Sequence, residues 1–202
     1  MNVRIIDYKA GNAPSVFHAV ERLGYGESTR FARTAEDFDG ATHIILPGVG
    51  SAKATMESLR GLDLIPALEE AVLKKSVCFL GVCVGMQILF EHGEEENADC
   101  LGWLEGRVVK FDNTKVRVPQ MGWNQVRFVD SQASKKSGED RYYYFVNSYY
   151  VKPENPSDIW ATAFYNGEFT AAVHRGNIYG TQFHIEKSGE SGLTLLKGFL
   201  DL

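Results

Sequence analysis

A cysteine between two glycines is the first feature of this chain that could do chemistry. It stands in Gly81-Val82-Cys83-Val84-Gly85, after the apolar run Val77 to Leu80 and before the helical pattern Met86 to Glu91. This order predicts a sharp strand-to-helix turn that lifts the cysteine clear of a sheet. The glycines give the turn its freedom, and a helix N-terminus stabilises a thiolate. The segment therefore suits covalent catalysis by Cys83.

A second segment near the C-terminus strengthens this interpretation. Alone, the cysteine motif also fits a buried, inert thiol, since free cysteine is among the most buried residue types. However, Ile178 to Phe183 predicts a strand that leads into His184, with Glu186 two positions later. If the chain stays extended there, both side chains point to one face. Glu186 can then orient the imidazole so that its other nitrogen faces Cys83.

The His-x-Glu spacing also occurs in zinc deaminases. That motif needs a Pro-Cys-x-x-Cys segment downstream, and no cysteine follows Cys100. The sequence therefore predicts neither a metal site nor a cofactor. The three cysteines, Cys78, Cys83 and Cys100, contain no Cys-x-x-Cys pair and do not suggest a disulfide framework.

Length and composition are those of an ordinary globular domain. The chain has 202 residues, of which 44% are hydrophobic and 23% are charged, and its net charge is −5. That charge gives no general attraction to nucleic acid or to anionic membranes. No apolar run approaches the ~20 residues of a membrane-spanning helix, and no signal peptide is visible. We therefore expect one domain over residues 1–202, in the cytoplasm, with no nucleic-acid or membrane partner.

Strands and helices alternate in the first half of the chain. The predicted elements are a strand at Val3 to Ile6, a helix from Asn12 to Gly24, strands at Glu27 to Ala32 and His43 to Leu46, a helix that begins at Ser51 and a helix over Ile65 to Lys74. This alternation predicts a doubly wound, mostly parallel α/β sheet of the flavodoxin-like type. Its ligands are expected at the carboxyl ends of the strands, where Cys83 falls.

The second half of the chain has a different pattern of residues. Short β-like runs are joined by Gly, Asn and Pro turns, at Gly106 to Phe111, Tyr142 to Val151, Ile159 to Tyr165, Thr170 to Arg175 and Asn177 to His184. These runs predict antiparallel additions to the sheet. The polar segment Asp130 to Asp140 predicts a loop, and a last helix is expected over about Glu190 to Leu200.

The glycine turn Pro47-Gly48-Val49-Gly50 adds a reaction class. Its backbone N–H groups and that of Val84 can converge on a developing oxyanion, which acyl transfer requires. The same turn also fits a plain tight connection between a strand and a helix. A thiolate paired with histidine attacks amides, esters or thioesters, so these groups alone do not name the substrate.

Three motifs resemble those of one enzyme family. The segments Gly-Val-Cys-Val-Gly-Met-Gln at 81–87, Pro-Gly-Val-Gly at 47–50 and Gln-Phe-His-Ile-Glu-Lys-Ser at 182–188 are similar to those of the class I, triad-type glutamine amidotransferases. Within that family, the segments 6–12, 119–124 and 144–150 resemble the glutaminase subunits of imidazole glycerol phosphate synthases. The resemblance spans essentially the whole chain.

The resemblance implies a glutaminase mechanism with a Cys-His-Glu triad. Cys83 would attack the side-chain amide of glutamine, His184 would protonate the departing ammonia, and Glu186 would orient His184. Val49 and Val84 would supply oxyanion-hole N–H groups. The positions that match the family's glutamine-binding residues are Gly50, Gln87, Glu95, Ser148 and Tyr149. Without the resemblance, these positions equally fit a solvated helix face, a loop or ordinary strand residues.

The resemblance also implies a partner. In the family, ammonia passes to a cyclase subunit, a (βα)₈-barrel that forms a heterodimer with the glutaminase and activates it. The products are imidazole glycerol phosphate and an aminoimidazole carboxamide ribonucleotide (AICAR), which belong to histidine biosynthesis. The positions that match the face toward the barrel are Gln120, Met121, Trp123 and Asn124. An indole there suits an interface anchor, although a half-buried core tryptophan is the more common role.

Three positions depart from the family pattern. Ile185 stands where proline is usual, Asn147 where histidine is common, and Ala52 to Met56 where a phenylalanine and small residues usually follow. None removes a member of the triad. They leave open a paralogous amidotransferase that feeds ammonia to another synthase, such as one for surface-sugar amidination. A cysteine peptidase or thioesterase, an inactive regulatory relative and a pure interaction module are the alternatives from other classes.

Overall fold

The computed structural model describes residues 1–9, 12–129 and 141–202, and the loop predicted at Asp130 to Asp140 lies outside them. The described strands are β1 (Val3–Ile6), β2 (Thr29–Ala32), β3 (His43–Gly48), β4 (Cys78–Cys83), β5 (His92–Gly93), β6 (Ala98–Asp99), β7 (Gly106–Lys110), β8 (Gln120–Phe128), β9 (Arg141–Asn147), β10 (Tyr149–Pro153), β11 (Ile159–Phe164), β12 (Glu168–Arg175) and β13 (Ile178–Thr181). The helices are α1 (Ala13–Arg22), α2 (Ala52–Gly61), α3 (Ile65–Glu69), α4 (Val84–Gln87) and α5 (Gly189–Leu200).

Five neighbouring strands form the parallel part of the sheet, in the order β2-β1-β3-β4-β13. This is the 2-1-3-4-5 order of flavodoxin-like sheets, which bind ligands beyond the carboxyl ends of their strands. β3 and β4 pair in register, with Gly48 opposite Cys83. The glycine turn and the cysteine therefore lie side by side at that edge, and the predicted parallel α/β sheet is confirmed.

The remaining strands extend the sheet mostly in the antiparallel sense, as predicted for the second half of the chain. β12 pairs with β13, β10 and β11, and β8 pairs with β11 and β9. The sequence does not predict β8, because its pattern offers little apolar alternation: of its nine residues only Gln120 and Val126 are buried. Two sheet neighbours, rather than its own side chains, hold this strand in place.

Several predicted boundaries are wrong in detail. Residues Gly26–Ser28 form a short 3₁₀ turn, so β2 begins only at Thr29. The run Tyr142 to Val151 is divided at Ser148 into two strands, and β13 ends at Thr181, before His184. Among the helices of the described residues, none combines the length and apolar character that a membrane crossing requires.

Close packing beneath Cys83 depends on glycine. A Cβ atom on Gly85 would overlap the carbonyl oxygen of Leu46, and one on Gly81 would overlap the carbonyl oxygen of Gly85. Because no side chain fits at either position, α4 lies directly on the backbones of β3 and β4. That contact fixes where the helix begins behind the cysteine.

We expect Gly85→Ala to destabilise the protein by roughly 3 kcal/mol or more, because backbone atoms would have to move apart to admit the methyl group. The matched control is Gly198→Ala on the exposed side of α5, where an added Cβ has no atom within 4 Å. This change should stabilise the protein by about 0.5–1 kcal/mol through helix propensity. Urea unfolding measures both effects, and equal midpoints for the two variants would contradict the packing argument.

Candidate active site

Cys83 ends β4 and immediately precedes α4. Its backbone has a φ of 56° and a ψ of −111°, a conformation that residues other than glycine rarely adopt. The sharp strand-to-helix turn predicted from the sequence is therefore confirmed. The predicted helix behind it is too long, however, since α4 ends at Gln87 rather than Glu91.

His184 and Glu186 form a buried pair. His184 Nδ1 and Glu186 Oε1 are 2.8 Å apart, and the two side chains are only 4% and 1% exposed. The chain does not stay extended here, because Glu186 belongs to a 3₁₀ turn at Ile185–Lys187. The carboxylate of Glu186 therefore reaches the imidazole because the backbone turns here, and not because alternate residues of a strand share a face.

Strand β9 holds this turn in position. The backbone N–H of His184 donates to the carbonyl oxygen of Tyr144 at 2.9 Å, and the N–H of Tyr144 donates to Ser188 Oγ at 3.0 Å. Ser188 Oγ in turn donates to the carbonyl oxygen of His184 at 2.6 Å. The backbone is thus fixed at both ends of the turn, and with it the position from which the His184 side chain extends.

The electrostatics of the pair favour a protonated imidazole. Burial alone would lower the pKa of His184, but its interactions with Cys83 and Glu186 outweigh it and raise the pKa to about 10. Burial would raise the pKa of Glu186, yet the hydrogen bond to His184 keeps it below its ordinary value. A positive imidazole beside a sulfur atom stabilises the thiolate, which is the nucleophilic form.

Asn12 supports the pair from the N-terminal half of the chain. Its Nδ2 donates to Glu186 Oε1 at 3.1 Å. Asn12 lies at the N-cap position of α1, but its side chain makes no capping hydrogen bond. The amide therefore contributes to the site rather than to the helix.

A chain of polar contacts runs from the sulfur into the sheet. Gln182 Nε2 lies 3.7 Å from Cys83 Sγ, and Gln182 Oε1 accepts from Gln87 Nε2 at 3.1 Å. Gln87 Nε2 also donates to the carbonyl oxygen of Tyr149 at 3.3 Å, which accepts from Asn147 Nδ2 at 2.9 Å. Sequence reasoning missed the role of Gln182, and its place two residues before His184 is the only signal for it.

A cavity of about 310 Å³ lies over Cys83 and His184. It has the size of a pocket for a small ligand. The predicted oxyanion and substrate-binding residues line it: Val49, Gly50, Val84, Gln87, Glu95, Ser148 and Tyr149. Further lining residues that the sequence did not assign to substrate binding are Pro119, Val146, Asn147 and Lys187. The structure thus brings the predicted site together around one space.

The cavity has an acidic side. Burial raises the pKa of Glu95, whose Oε2 accepts from the backbone N–H of Ala52 at 3.4 Å. Burial and the neighbouring carboxylates, Glu95 foremost, raise the pKa of Tyr149. A carboxylate in a small pocket suits the ammonium group of an amino acid. Within the described parts of the chain, no three His, Cys, Asp or Glu side chains are grouped to hold a metal ion.

Comparison with protein families shows to which group this site belongs. Residues 4–201 match the family described as glutamine amidotransferase class-I. The chain belongs to the class-I glutamine amidotransferases. Similar solved structures include a glutamine amidotransferase with a TM-score of 0.79 at 19% identity, over 100% of this chain and 98% of that one. PurLQS from Thermotoga maritima gives a TM-score of 0.76 at 18% identity, over 99% and 97%. At such identities these structures show a shared fold.

Curated relatives of this amidotransferase match it over nearly the full length. It is 38% identical to the imidazole glycerol phosphate synthase subunit HisH of Leptospira interrogans, over 99% of this chain and 100% of that protein. It is 42% identical to HisH of Zymomonas mobilis, over 98% and 95%. It is 38% identical to HisH of Neisseria meningitidis serogroup B, over the whole of both chains.

The residues predicted to face a partner of this amidotransferase lie on both sides of β8. Met121 and Trp123 are 67% and 57% exposed. Gln120 is buried, and Asn124 Nδ2 donates to the carbonyl oxygen of Phe164 at 2.9 Å. Successive residues of a strand point to opposite faces, so Gln120 lies on the other side of the sheet from Met121 and Trp123.

We expect Glu186→Gln to lower the pKa of His184 from about 10, because the amide removes the negative charge next to Nδ1. Glu190→Gln makes the same chemical change on an exposed side chain in the first turn of α5 and should leave the pKa unchanged. An NMR titration of the imidazole measures both. Identical titration curves for the two variants would contradict the assignment of Glu186 as the partner of His184.

The pair also makes stability depend on pH. Because folding raises the pKa of His184 above its ordinary value of 6.5, the stabilisation is complete below pH 6.5 and is lost as the pH rises through about 10. Glu186→Gln should therefore flatten the alkaline fall of the free energy of unfolding.

Proposed function

We propose that this chain is the glutaminase subunit of an imidazole glycerol phosphate synthase and acts as one amidotransferase domain. The observation that carries the proposal is the convergence of Cys83, His184 and Glu186 beneath a cavity lined by the predicted glutamine-binding residues. Full-length similarity to HisH subunits supports the choice of synthase. The ammonia released here then reacts in a cyclase subunit that yields imidazole glycerol phosphate and AICAR.

In the first half-reaction, the thiolate of Cys83 attacks the side-chain carbonyl carbon of glutamine. A C–S bond forms and negative charge develops on the carbonyl oxygen, which backbone N–H groups of Val49 and Val84 stabilise. His184, protonated at its free nitrogen, donates that proton to the amide nitrogen. The C–N bond breaks, ammonia leaves, and a thioester to Cys83 remains.

In the second half-reaction, water enters and His184 acts as the base. The imidazole takes a proton from water, the oxygen attacks the thioester carbon, and the C–S bond breaks. Glutamate leaves and the sulfur is regenerated beside a protonated imidazole. Glu186 keeps Nδ1 of His184 protonated throughout, so that only the nitrogen facing Cys83 exchanges protons.

The remaining lining residues hold the substrate. Glu95 suits the ammonium group of glutamine. Burial disfavours its negative charge and raises its pKa, and a bound ammonium group would offset that effect. Ser148 and Tyr149 suit the carboxylate end, and Gly50 and Gln87 the carboxamide. Together these contacts place the amide carbon over Cys83.

An exposed aromatic surface beside the site suits the cyclase barrel. Trp123 packs edge-on against Tyr144 of β9, with ring centroids 5.9 Å apart, and Tyr144 pairs with the backbone of His184. Tyr142 and Phe164 are exposed on the same face of the sheet. A barrel docked over Trp123 in a heterodimer would thus lie one strand from His184 and receive ammonia without loss to solvent. We expect this assembly in the cytoplasm, where unpaired cysteines stay reduced.

A paralogous amidotransferase that feeds another synthase is the second candidate. Asn147 favours it, because its Oδ1 is buried in the cavity wall without a hydrogen-bond partner among the described residues. Because histidine is common at this position in the family, a pocket with Asn147 fits an amidotransferase that a different partner activates. Glutamate release measured with a histidine-pathway cyclase and its nucleotide ligand separates the two, since only the first candidate is stimulated by that pair.

We expect Cys83→Ala to reduce glutamine-dependent product formation with the cyclase by at least about 10³-fold, because the nucleophile is lost. Product formation from free ammonia should be unchanged, since the cyclase carries that step. Cys78→Ala, in the same strand and half-buried, is the matched control and should keep glutamine-dependent activity. Glutamine turnover that survives Cys83→Ala would contradict the mechanism.

We expect Trp123→Ala to weaken binding of the cyclase by roughly 30-fold or more, the effect of removing an aromatic anchor from an interface. Leu73→Ala is the control. Leu73 is also an exposed apolar residue, but it lies in the segment before β4, at the amino ends of the parallel strands, so its removal should not change affinity. Isothermal titration with the cyclase measures both. Equal affinities would exclude Trp123 from the interface.

A further inference from the structure

Gln182 is a fully buried polar residue to which the proposed mechanism gives no role. It stands between β13 and the turn that carries His184, and its backbone N–H donates to the carbonyl oxygen of Ala171 at 2.8 Å. Its side chain extends to Cys83, where Nε2 lies 3.7 Å from Sγ. The sheet therefore holds an amide N–H group within hydrogen-bond distance of the proposed nucleophile.

Hydrogen bonds fix which end of the Gln182 amide faces the sulfur. A carbonyl oxygen only accepts hydrogen bonds, so the Gln87 atom that lies 3.3 Å from the carbonyl oxygen of Tyr149 is its nitrogen, Nε2. The same nitrogen donates to the Gln182 amide at 3.1 Å, and the atom that accepts there is Oε1. With its oxygen on that side, the Gln182 amide presents Nε2 to Cys83. A backbone carbonyl thus sets the orientation of both amides.

Two polar contacts of the sulfur favour different protonation states. Cys83 Sγ lies 3.9 Å from the carbonyl oxygen of Val146, which can accept only from the protonated thiol. The N–H group of Gln182 can only donate, so it favours a sulfur that carries negative charge. Cys83 and Gln182 are both buried, and a hydrogen bond is electrostatically stronger inside a protein than in water. Gln182 therefore offsets the effect of the Val146 carbonyl once the thiol has lost its proton.

We propose that Gln182 is a catalytic residue that donates a hydrogen bond to the thiolate of Cys83. The inference rests on the proposed glutaminase function and adds a second donor to the protonated imidazole of His184. In the first half-reaction, this N–H group stabilises the thiolate that attacks glutamine. In the second, it stabilises the sulfur that leaves when the C–S bond breaks. The amide keeps its proton throughout, and His184 carries out every proton transfer.

Alkylation of Cys83 by iodoacetamide in the full chain tests this role, with the rate followed by peptide mass spectrometry as a function of pH. Gln182→Met keeps the length of the side chain and removes the donor. We expect its rate profile to move to higher pH by about one pH unit or more, the effect of one hydrogen bond to a charged group. The rate at alkaline pH should not fall, because a thiolate without this donor is at least as nucleophilic. Gln125→Met makes the same change on an exposed side chain of β8 and should leave the profile unchanged.

A folded Gln182→Met variant with an unshifted profile would overturn the inference. An equal fall in rate at every pH would also overturn it, because that result indicates blocked access to the sulfur and not a lost donor. Cys78 and Cys100 are half-buried and report on folding in the same experiment, since their alkylation should not change. If Gln182→Met does not fold, Gln182→Glu keeps the shape and the acceptor for Gln87, while its carboxylate opposes a negative sulfur. An unshifted profile there overturns the inference equally.

Labelling with the electrophilic glutamine analogue 6-diazo-5-oxonorleucine distinguishes the two proposals. Iodoacetamide requires only a reactive thiolate, whereas the analogue also requires the glutamine pocket. Wild-type protein that the analogue does not label at Cys83 refutes the glutaminase function. Labelled wild-type protein together with an unshifted alkylation profile of the Gln182 variants refutes only the role of Gln182.

Discussion

The contact between α4 and the two strands beneath it is the constraint on which the site depends. Gly81 and Gly85 allow backbone to lie on backbone, and this proximity holds Cys83 at a positive φ. Strain of this kind costs about 1–3 kcal/mol and persists only where packing enforces it. The same contact places Cys83 next to the glycine turn, because β3 and β4 pair in register up to that point. Cys83 and the glycine turn are thus both positioned by this backbone contact.

Burial gives the side chains around the sulfur their chemistry. His184 and Glu186 are almost inaccessible to water, so each depends on the other for a partner. Burial by itself disfavours the charged forms of both His184 and Glu186. The hydrogen bond between the two side chains favours the charged forms and outweighs this effect. The backbone of β9 carries the same turn and an exposed aromatic face. A partner on that face could therefore act on the imidazole through a single strand.

The pattern of apolar residues predicts the parallel sheet well. Its strands are buried on both faces and read as apolar runs, and the apolar residues of its helices recur every three or four positions. β3, for example, is buried along its whole length. β8 escapes prediction because neighbouring strands, not its own apolar residues, hold it in the sheet. The turn at Ile185–Lys187 escapes for a related reason: its course is set by Ser188 and Tyr144, which are distant from each other in the chain.

The sequence by itself determined the residue types of the site, the order of its elements and the family, since glycine spacing and short motifs are local properties of the chain. Tertiary structure alone decided how these residues meet. It placed the carboxylate of Glu186 beside the imidazole of His184, and it paired Asn12 with that carboxylate rather than with its own helix. Each of these contacts depends on elements that are distant in the sequence, or on a turn that such elements hold in place. Local propensity carries no information about such approaches, because they depend on packing across the whole sheet.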